Sequence, residues 1–286
     1  MNYVQNDGNI ILYDCKSFTL KDIFECGQCF RYEKITQSKY KIIAYSKALI
    51  LEKKGNDILF YDCTEKDFEN IWFDYFDLST DYEAIKKELS ENDEIMKNAV
   101  AYAEGIRLLN QEPYECLLSF IISQNNNIPR IIKILNSFSR LYGKKIGEDY
   151  AFPILDDIKN ITEEDLSPFK MGYRSKYILD AVKKLTDDND LIDLSLPTEQ
   201  LKNNLLSVKG VGNKVADCVL LFSCKKRECF PVDVWINRVI SKLYLKNETV
   251  TNNEIQAFAK DKWGDKAGFA QQYLFNYIRG TSNEHI

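Results

Sequence analysis

The chain has 286 residues, 45% hydrophobic and 28% charged, enough for one large domain or two ordinary ones around a buried core. Lys plus Arg total 38 against 43 Asp plus Glu, and the net charge of −5, taken as an average, argues against a nucleic-acid partner. The single His, His285, excludes His-based triads and His-rich zinc sites, and no apolar run approaches the ~18 residues of a membrane span.

The start, MNYVQNDGNIILYD, lacks a basic segment followed by an apolar one, so no signal peptide is expected. The eight Cys are scattered and read as reduced thiols of a cytoplasmic or nucleoid-associated protein. The first third reads as strands: Ile10–Tyr13, Phe30–Ile35, Tyr40–Tyr45, Ala48–Glu52 and Ile58–Tyr61, all short and rich in β-branched and aromatic residues. Lys54-Gly55-Asn56-Asp57 is a plausible hairpin turn between the last two. Residues 65–95 change to helical spacing and hold eleven acids and three Lys, a run that reads as solvated helix faces. After about Asn110 nearly everything is helical. Tyr114–Ser123 runs into an Asn-rich loop, and Pro129 opens a helix that continues over Arg130–Tyr142. Arg174–Leu185, Glu199–Leu206, Lys214–Ser223, Val234–Tyr244, Asn253–Trp263 and Gly268–Arg279 follow. The class is α+β: an N-terminal antiparallel β-sheet domain with helices, residues 1–112, then a larger all-α domain, residues 113–286.

Residues 201–240 carry the chemistry. One helix ends in Val208-Lys209-Gly210-Val211-Gly212 and another begins at once. The two Gly allow φ > 0 and close approach by another molecule's backbone, and the free N–H groups of the second helix favour an anion. A dinucleotide fold wants a strand before the glycines, and a P-loop wants Gly-Lys-Ser/Thr; neither is present. A helix–hairpin–helix on a nucleic-acid backbone remains, beside the plainer alternative that the glycines only make a turn. Lys214 lies in the first turn of the second helix, where the positive helix end and partial burial favour a neutral, nucleophilic amine; a plain surface lysine is the alternative. Asp233 stands where the next helix begins. An N-cap holds such a carboxylate ionised, and the same charge could stabilise a cationic sugar transition state.

GVGNKVAD at 210–217 followed by PVDVW at 231–235 resembles the helix–hairpin–helix signature of base-excision DNA glycosylases. Lys214 with Asp233 resembles the bifunctional branch, which breaks the N-glycosidic bond by amine attack and then nicks the strand. The endonuclease III branch usually adds a four-Cys iron–sulfur loop near its end, but no Cys follows Cys229 here, so no cluster is expected. Three more motifs resemble 8-oxoguanine DNA glycosylases, and together they span most of the chain. They are Cys26-Gly27-Gln28-Cys29-Phe30-Arg31, Ser119 through Arg130 with its run Asn125-Asn126-Asn127, and Met171-Gly172-Tyr173-Arg174. The resemblance implies a TBP-like N-terminal domain before the catalytic one. It implies that the Gly27 carbonyl accepts the N7–H that 8-oxoguanine has and guanine lacks. Cys218 and Phe275 would sandwich the flipped base, and Gln271 would read its Watson–Crick edge. Asn125, Asn126, Arg130 and Arg174 would face the orphaned cytosine, and Tyr173 would wedge into the emptied stack.

Gly210, Gly212 and Trp235 complete the DNA-facing set, although animal relatives carry a His at the Trp235 position and an Asp at that of Ile278. No cofactor is required. Family members often place a Na+, K+, Ca2+ or Mg2+ ion on hairpin carbonyls, here those of Leu206, Val208 and Val211. Cys26 and Cys29 have zinc-like spacing, but no second pair completes a zinc site. The expected partner is damaged double-stranded DNA, met by a monomer away from any membrane. A related glycosylase for another damaged base, such as an alkylated purine, and a non-catalytic helix–hairpin–helix module are the rivals. Charge resolves the opening objection. Residues 202–246 hold nine Lys or Arg and three acids, which reads as a basic working face on an acidic body.

Overall fold

The computed structural model describes residues 2–188, 190–247 and 249–281, and His285 lies outside them. Six strands form one antiparallel sheet: β1 (Tyr3–Asn6), β2 (Asn9–Leu12), β3 (Tyr32–Lys34), β4 (Lys39–Ala44), β5 (Lys47–Lys54) and β6 (Asp57–Tyr61). Their order is β1-β2-β6-β5-β4-β3. Alternation drives them: Tyr40, Ile42 and Ala44 of β4 point inward, as do Ile58 and Phe60 of β6. Lys54 pairs with Asp57 across the Gly55-Asn56 turn, with Gly55 at φ +62°. Strand β1 was not expected: only Tyr3 of its four residues is half-buried, so it carries no periodic signal.

The inner face of the sheet packs on α1 (Leu20–Phe24) and on short helical turns over 65–75. Phe24 meets Tyr40 at 5.5 Å and Phe68 meets Phe60 at 5.2 Å between ring centroids. The second core is helical: α2 (Tyr82–Ser90), α3 (Glu94–Tyr102), α4 (Pro113–Ser123), α5 (Ile128–Tyr142), α6 (Arg174–Asp187), α7 (Thr198–Leu206), α8 (Asn213–Ser223), α9 (Val234–Val239), α10 (Asn252–Trp263) and α11 (Ala267–Thr281). A wider π turn, Ile240–Leu245, extends α9. A small hairpin, β7 (Lys145–Ile146) with β8 (Asp149–Tyr150), interrupts the expected run of helices. Although α2 and α3 precede residue 112, they pack in this larger core, with Tyr82 on Phe269 at 5.5 Å. The chain crosses between cores at Cys29 and Phe30; Cys29 sits in the sheet core, while Phe30 packs on Phe120 at 5.6 Å.

The acidic stretch 65–95 is not simply a solvated face. Asp74 pairs with Lys225 at 2.5 Å, Asp77 with Arg227 at 3.4 Å, Glu88 with Lys266 at 3.0 Å and Asp93 with Lys262 at 3.0 Å. Asp77 and Asp93 are buried, and a buried carboxylate demands a partner. Four of the acids therefore form one side of a charge-matched seam to the helical core, which spacing along the chain cannot reveal, while most of the run is exposed as expected.

Candidate active site

The hairpin between α7 and α8 uses its two glycines differently. Gly210 sits at φ +81°, and a Cβ there would lie 2.2 Å from Cδ2 of Tyr177, so only glycine fits. Gly212 is extended, with φ −100° and ψ 179°, and caps α8. Of the two glycines that allow φ > 0, only Gly210 uses that freedom; Gly212 needs no special backbone. A Cβ on it would meet nothing within 4 Å, which leaves room for another molecule's backbone. The first turn of α8 carries Lys214, half-buried, with Nζ 5.0 Å from the Phe120 ring centroid. The ring face favours a cation there.

Asp233 caps α9. Its Oδ1 accepts the N–H groups of Trp235 at 3.0 Å and Ile236 at 2.9 Å. Burial nevertheless raises its pKa above the ordinary carboxylate value, opposed by those N–H groups and the Lys214 charge. The sequence reading, which saw only the cap, expected an ionised group held without that cost.

One small cavity, about 40 Å³, is lined by Lys214, Asp233, Cys218, Phe275, Gly27 and Gln271. Gly27 takes φ +84° beside Phe275. The Cys218 thiol is pushed up to about 11 by burial, against the Lys214 amine within hydrogen-bonding reach. Gln271 is 5% exposed; its Nε2 donates to the Pro231 carbonyl at 3.3 Å, and its Oε1 has no hydrogen-bond partner among the described residues. Phe120 and Gln272 line the same cavity. Neither has a role that the sequence alone suggests, because burial against the cavity is a tertiary fact.

The residues assigned to the orphaned cytosine lie outside that cavity, on the 124–130 loop and the 170–174 turn. Asn125 is left-handed at φ +47°. Asn126 commits its Nδ2 to the Ile122 carbonyl at 3.1 Å and its Oδ1 to the Asn127 N–H at 3.0 Å. Asn127 in turn caps α5. Arg130 Nη2 donates to the Lys170 carbonyl at 2.8 Å. Arg174 is buried, with Nε donating to the Gln124 carbonyl at 2.8 Å, Nη2 to the Asn125 carbonyl at 2.8 Å and Nη1 to the Met171 carbonyl at 3.0 Å. Tyr173 is 47% exposed and packs on Tyr177 at 5.5 Å, the same ring that closes over Gly210.

The basic segment is also divided. Lys202 pairs with Asp217 at 2.6 Å, Lys225 and Arg227 belong to the seam, and Lys226 donates to the Leu196 carbonyl at 2.8 Å. The basic face expected over all of 202–246 narrows accordingly to the hairpin and α9. An open groove of about 680 Å³ leads from Asp233 past Arg238 and Lys242, two cations the sequence reading left unassigned. Arg238 stacks on half-buried Trp235 at 5.1 Å. At the hairpin, the Val208 carbonyl accepts the Val211 N–H at 3.0 Å, and Lys184 donates to the adjacent Ser207 carbonyl. Among the described residues no group of three or more His, Cys, Asp or Glu side chains could hold a metal ion, and no helix is long and apolar enough to cross a membrane.

Comparison with known proteins identifies the family. Residues 10–117 match the 8-oxoguanine DNA glycosylase N-terminal domain, and residues 118–265 match the HhH-GPD superfamily of base excision DNA repair proteins. The N-glycosylase/DNA lyase of Saccharomyces cerevisiae is 32% identical over 92% of this chain and 84% of its own. The Clostridium acetobutylicum 8-oxoguanine glycosylase/lyase, solved with double-stranded DNA containing cytosine opposite 8-oxoguanine, is 40% identical. It superposes with a TM-score of 0.94 over 99% of both chains. A 3-methyladenine DNA glycosylase from Archaeoglobus fulgidus shares the fold, with a TM-score of 0.75 over 98% of this chain and 99% of its own, at 18% identity. The chain belongs to the HhH-GPD superfamily of base excision DNA repair proteins, in the branch that carries the 8-oxoguanine DNA glycosylase N-terminal domain.

Proposed function

We propose that this protein excises 8-oxoguanine opposite cytosine from duplex DNA and then cleaves the strand, with Lys214 as nucleophile and Asp233 as its electrostatic partner. The observation that carries this reading is the single cavity bounded by an amine, a half-buried carboxylate, an aromatic face, a thiol and an unpaired amide oxygen. A DNA-binding module without chemistry has no use for that set.

The damaged nucleotide swings out of the stack at a cost of roughly a few kcal/mol. The cavity of about 40 Å³ is too small for a purine, so half-buried Phe275 moves aside and then stacks on the base, with Cys218 on its other face. The Gly27 carbonyl accepts N7–H, and Gln271 Oε1 takes a donor from the Watson–Crick edge. Asp233 stabilises positive charge developing at C1′. Lys214 Nζ gives up a proton and attacks C1′ while the N-glycosidic bond breaks, its electron pair leaving with the base, which takes up that proton. Loss of a further Nζ proton and opening of the C1′–O4′ bond, whose electron pair stays on O4′ and takes up that proton, give an iminium, a cation beside Phe120. Removal of a C2′ proton then expels the 3′-side phosphate by breaking the C3′–O bond.

Outside the pocket, Asn125, Asn126, Arg130 and Arg174 meet the orphaned cytosine, Tyr173 fills the gap, and Gly210, Gly212 and Trp235 follow the backbone. No cofactor enters these steps. Zinc and an iron–sulfur cluster have no role, and the Leu206, Val208 and Val211 carbonyls steady a simple cation at the negative end of α7. Along the chain the two domains are assigned to 1–112 and 113–286, although α2 and α3 pack with the helical one, and the enzyme acts as a monomer on DNA of the cytoplasm or nucleoid. Borohydride trapping on a duplex with 8-oxoguanine opposite cytosine tests the reading. A covalent adduct is expected from the natural protein and none from Lys214→Gln; no adduct from the natural protein on any lesion would overturn it.

A further inference from the structure

The carbonyl that tells damaged from normal base belongs to glycine, the residue least able to hold its own peptide planes. Gly27 at φ +84° is fixed by its neighbours instead. On the C-terminal side the anchor is Gln28. Its buried Nε2 donates to the Ile23 and Arg107 carbonyls, both at 2.8 Å, and its Oε1 accepts the Leu109 N–H at 2.9 Å. Its own carbonyl accepts Gln111 Nε2 at 2.7 Å.

On the N-terminal side the anchor comes from a distant part of the chain. Gln272 of α11 is 1% exposed, and its Nε2 donates to the Cys26 carbonyl at 3.3 Å. That carbonyl lies in the peptide plane entering Gly27. The Cys26 thiol donates to the Ile23 carbonyl at 3.2 Å, the same oxygen that Gln28 holds. The Gly27 loop is thus pinned at both ends, mainly from the 107–111 segment on one side and from α11 on the other. Gln271, the next residue back on α11, has the unpaired oxygen in the same cavity.

We infer that Gln272 is a positioning residue for lesion choice: its amide fixes the peptide plane before Gly27, and so aims the Gly27 carbonyl at the N7–H of 8-oxoguanine. The inference rests on Gly27 reading that hydrogen. Guanine offers a lone pair at N7 where 8-oxoguanine offers a donor, so a well-aimed carbonyl gains a bond with one and meets repulsion with the other. A carbonyl free to swing loses both effects. The readings from Gln271 and Gly27 are then coupled through one helix, and Gln272 holds them in register.

The test is Gln272→Leu, which keeps bulk and removes the donor. The Lys214→Gln background allows binding to be measured without turnover, on duplexes with 8-oxoguanine or guanine opposite cytosine. Gln272→Leu is expected to lower the affinity ratio between these duplexes about tenfold, the scale of one hydrogen bond. With Lys214 intact, the ratio of 8-oxoguanine excision to cleavage at a ready-made abasic site falls by a similar factor, since the abasic site presents no base to Gly27. Equal losses on both substrates, or an unchanged affinity ratio, would overturn the inference and leave Gln272 a plain core residue. If the Lys214→Gln protein itself does not prefer the damaged duplex, the reading of Gly27 fails first, and the two failures are distinguishable.

Discussion

The lesion cavity and the opposite-base surface are both polar, yet they keep their polar groups in opposite states. In the cavity Gln271 has a buried oxygen without a partner, and Asp233 is a carboxylate whose pKa burial raises. On the opposite-base surface Asn126 and Asn127 already bond backbone groups near them in the chain, and Arg174 and Arg130 bond carbonyls of each other's segment. A buried unmet group costs stability and is relieved by the right guest. A group already paired must exchange one bond for another, so its net gain from a base is small. The cavity should therefore trade stability for activity, while the outer loops serve both together.

Asp233→Asn gives the largest expected effect. Asn keeps an oxygen for the α9 cap but loses the charge. Excision is expected to fall on the order of 10²–10³-fold, the scale for removing one preorganised electrostatic group. The thermal midpoint should move the other way. A carboxyl whose folded pKa lies above its ordinary 3.8 adds stability below that value and loses it as pH rises through the folded pKa. At pH 7 the natural protein carries the half-buried charge, so the variant should melt higher, and the gap should close on acidification toward pH 3.8. Melting curves across this range decide it; a variant that melts lower at pH 7 breaks the cavity half of the comparison.

Gln271→Leu comes next. Excision of 8-oxoguanine should drop roughly 10- to 100-fold, while removal of the orphaned oxygen leaves stability equal or higher. Arg174→Leu should do the reverse. It strips donors from the Gln124, Asn125 and Met171 carbonyls, at a cost of about 1–3 kcal/mol, so the midpoint falls. Its effect on excision is smaller, roughly tenfold, and takes the form of a weaker preference for cytosine over adenine opposite the lesion. Single-turnover rates on both duplexes measure it. If Arg174→Leu raised the midpoint, the two regions would not differ as argued.

The sequence spoke most clearly where chemistry is local. Gly210 at a tight turn, Lys214 one turn into a helix and Asp233 at a cap are short-range facts, and α8 and α9 begin within a residue of where they were expected. It was silent where a role depends on burial from a distant segment. Phe120 and Gln272 gain theirs only when α4 and α11 meet α8. Gly212 matched a motif but needs no positive φ, because Gly210 alone turns the chain. The acids of 65–95 were counted correctly but lacked their partners, since Asp74 and Lys225 are 151 residues apart. Nothing in the spacing of Met171 through Arg174 says that the arginine is buried and its neighbour exposed.

The same contrast between met and unmet groups extends to charge, where the effect is smallest. Lys225 has an acid partner in Asp74, whereas Arg238 and Lys242 line the groove leading from Asp233 with no ion pair among the described residues. Only a cation free of protein carboxylates releases counterions when a phosphate arrives. Each phosphate contact contributes about 0.9 to the slope of log affinity against log salt. Arg238→Ala with Lys242→Ala should therefore flatten the slope by roughly 1–2 for any duplex, damaged or not. Lys225→Ala should leave it within error. Titrations from low to moderate salt on an undamaged duplex separate these outcomes. Equal slopes in all three proteins would mean that the strand does not follow this groove, and that ion pairing does not sort the working cations from the structural ones.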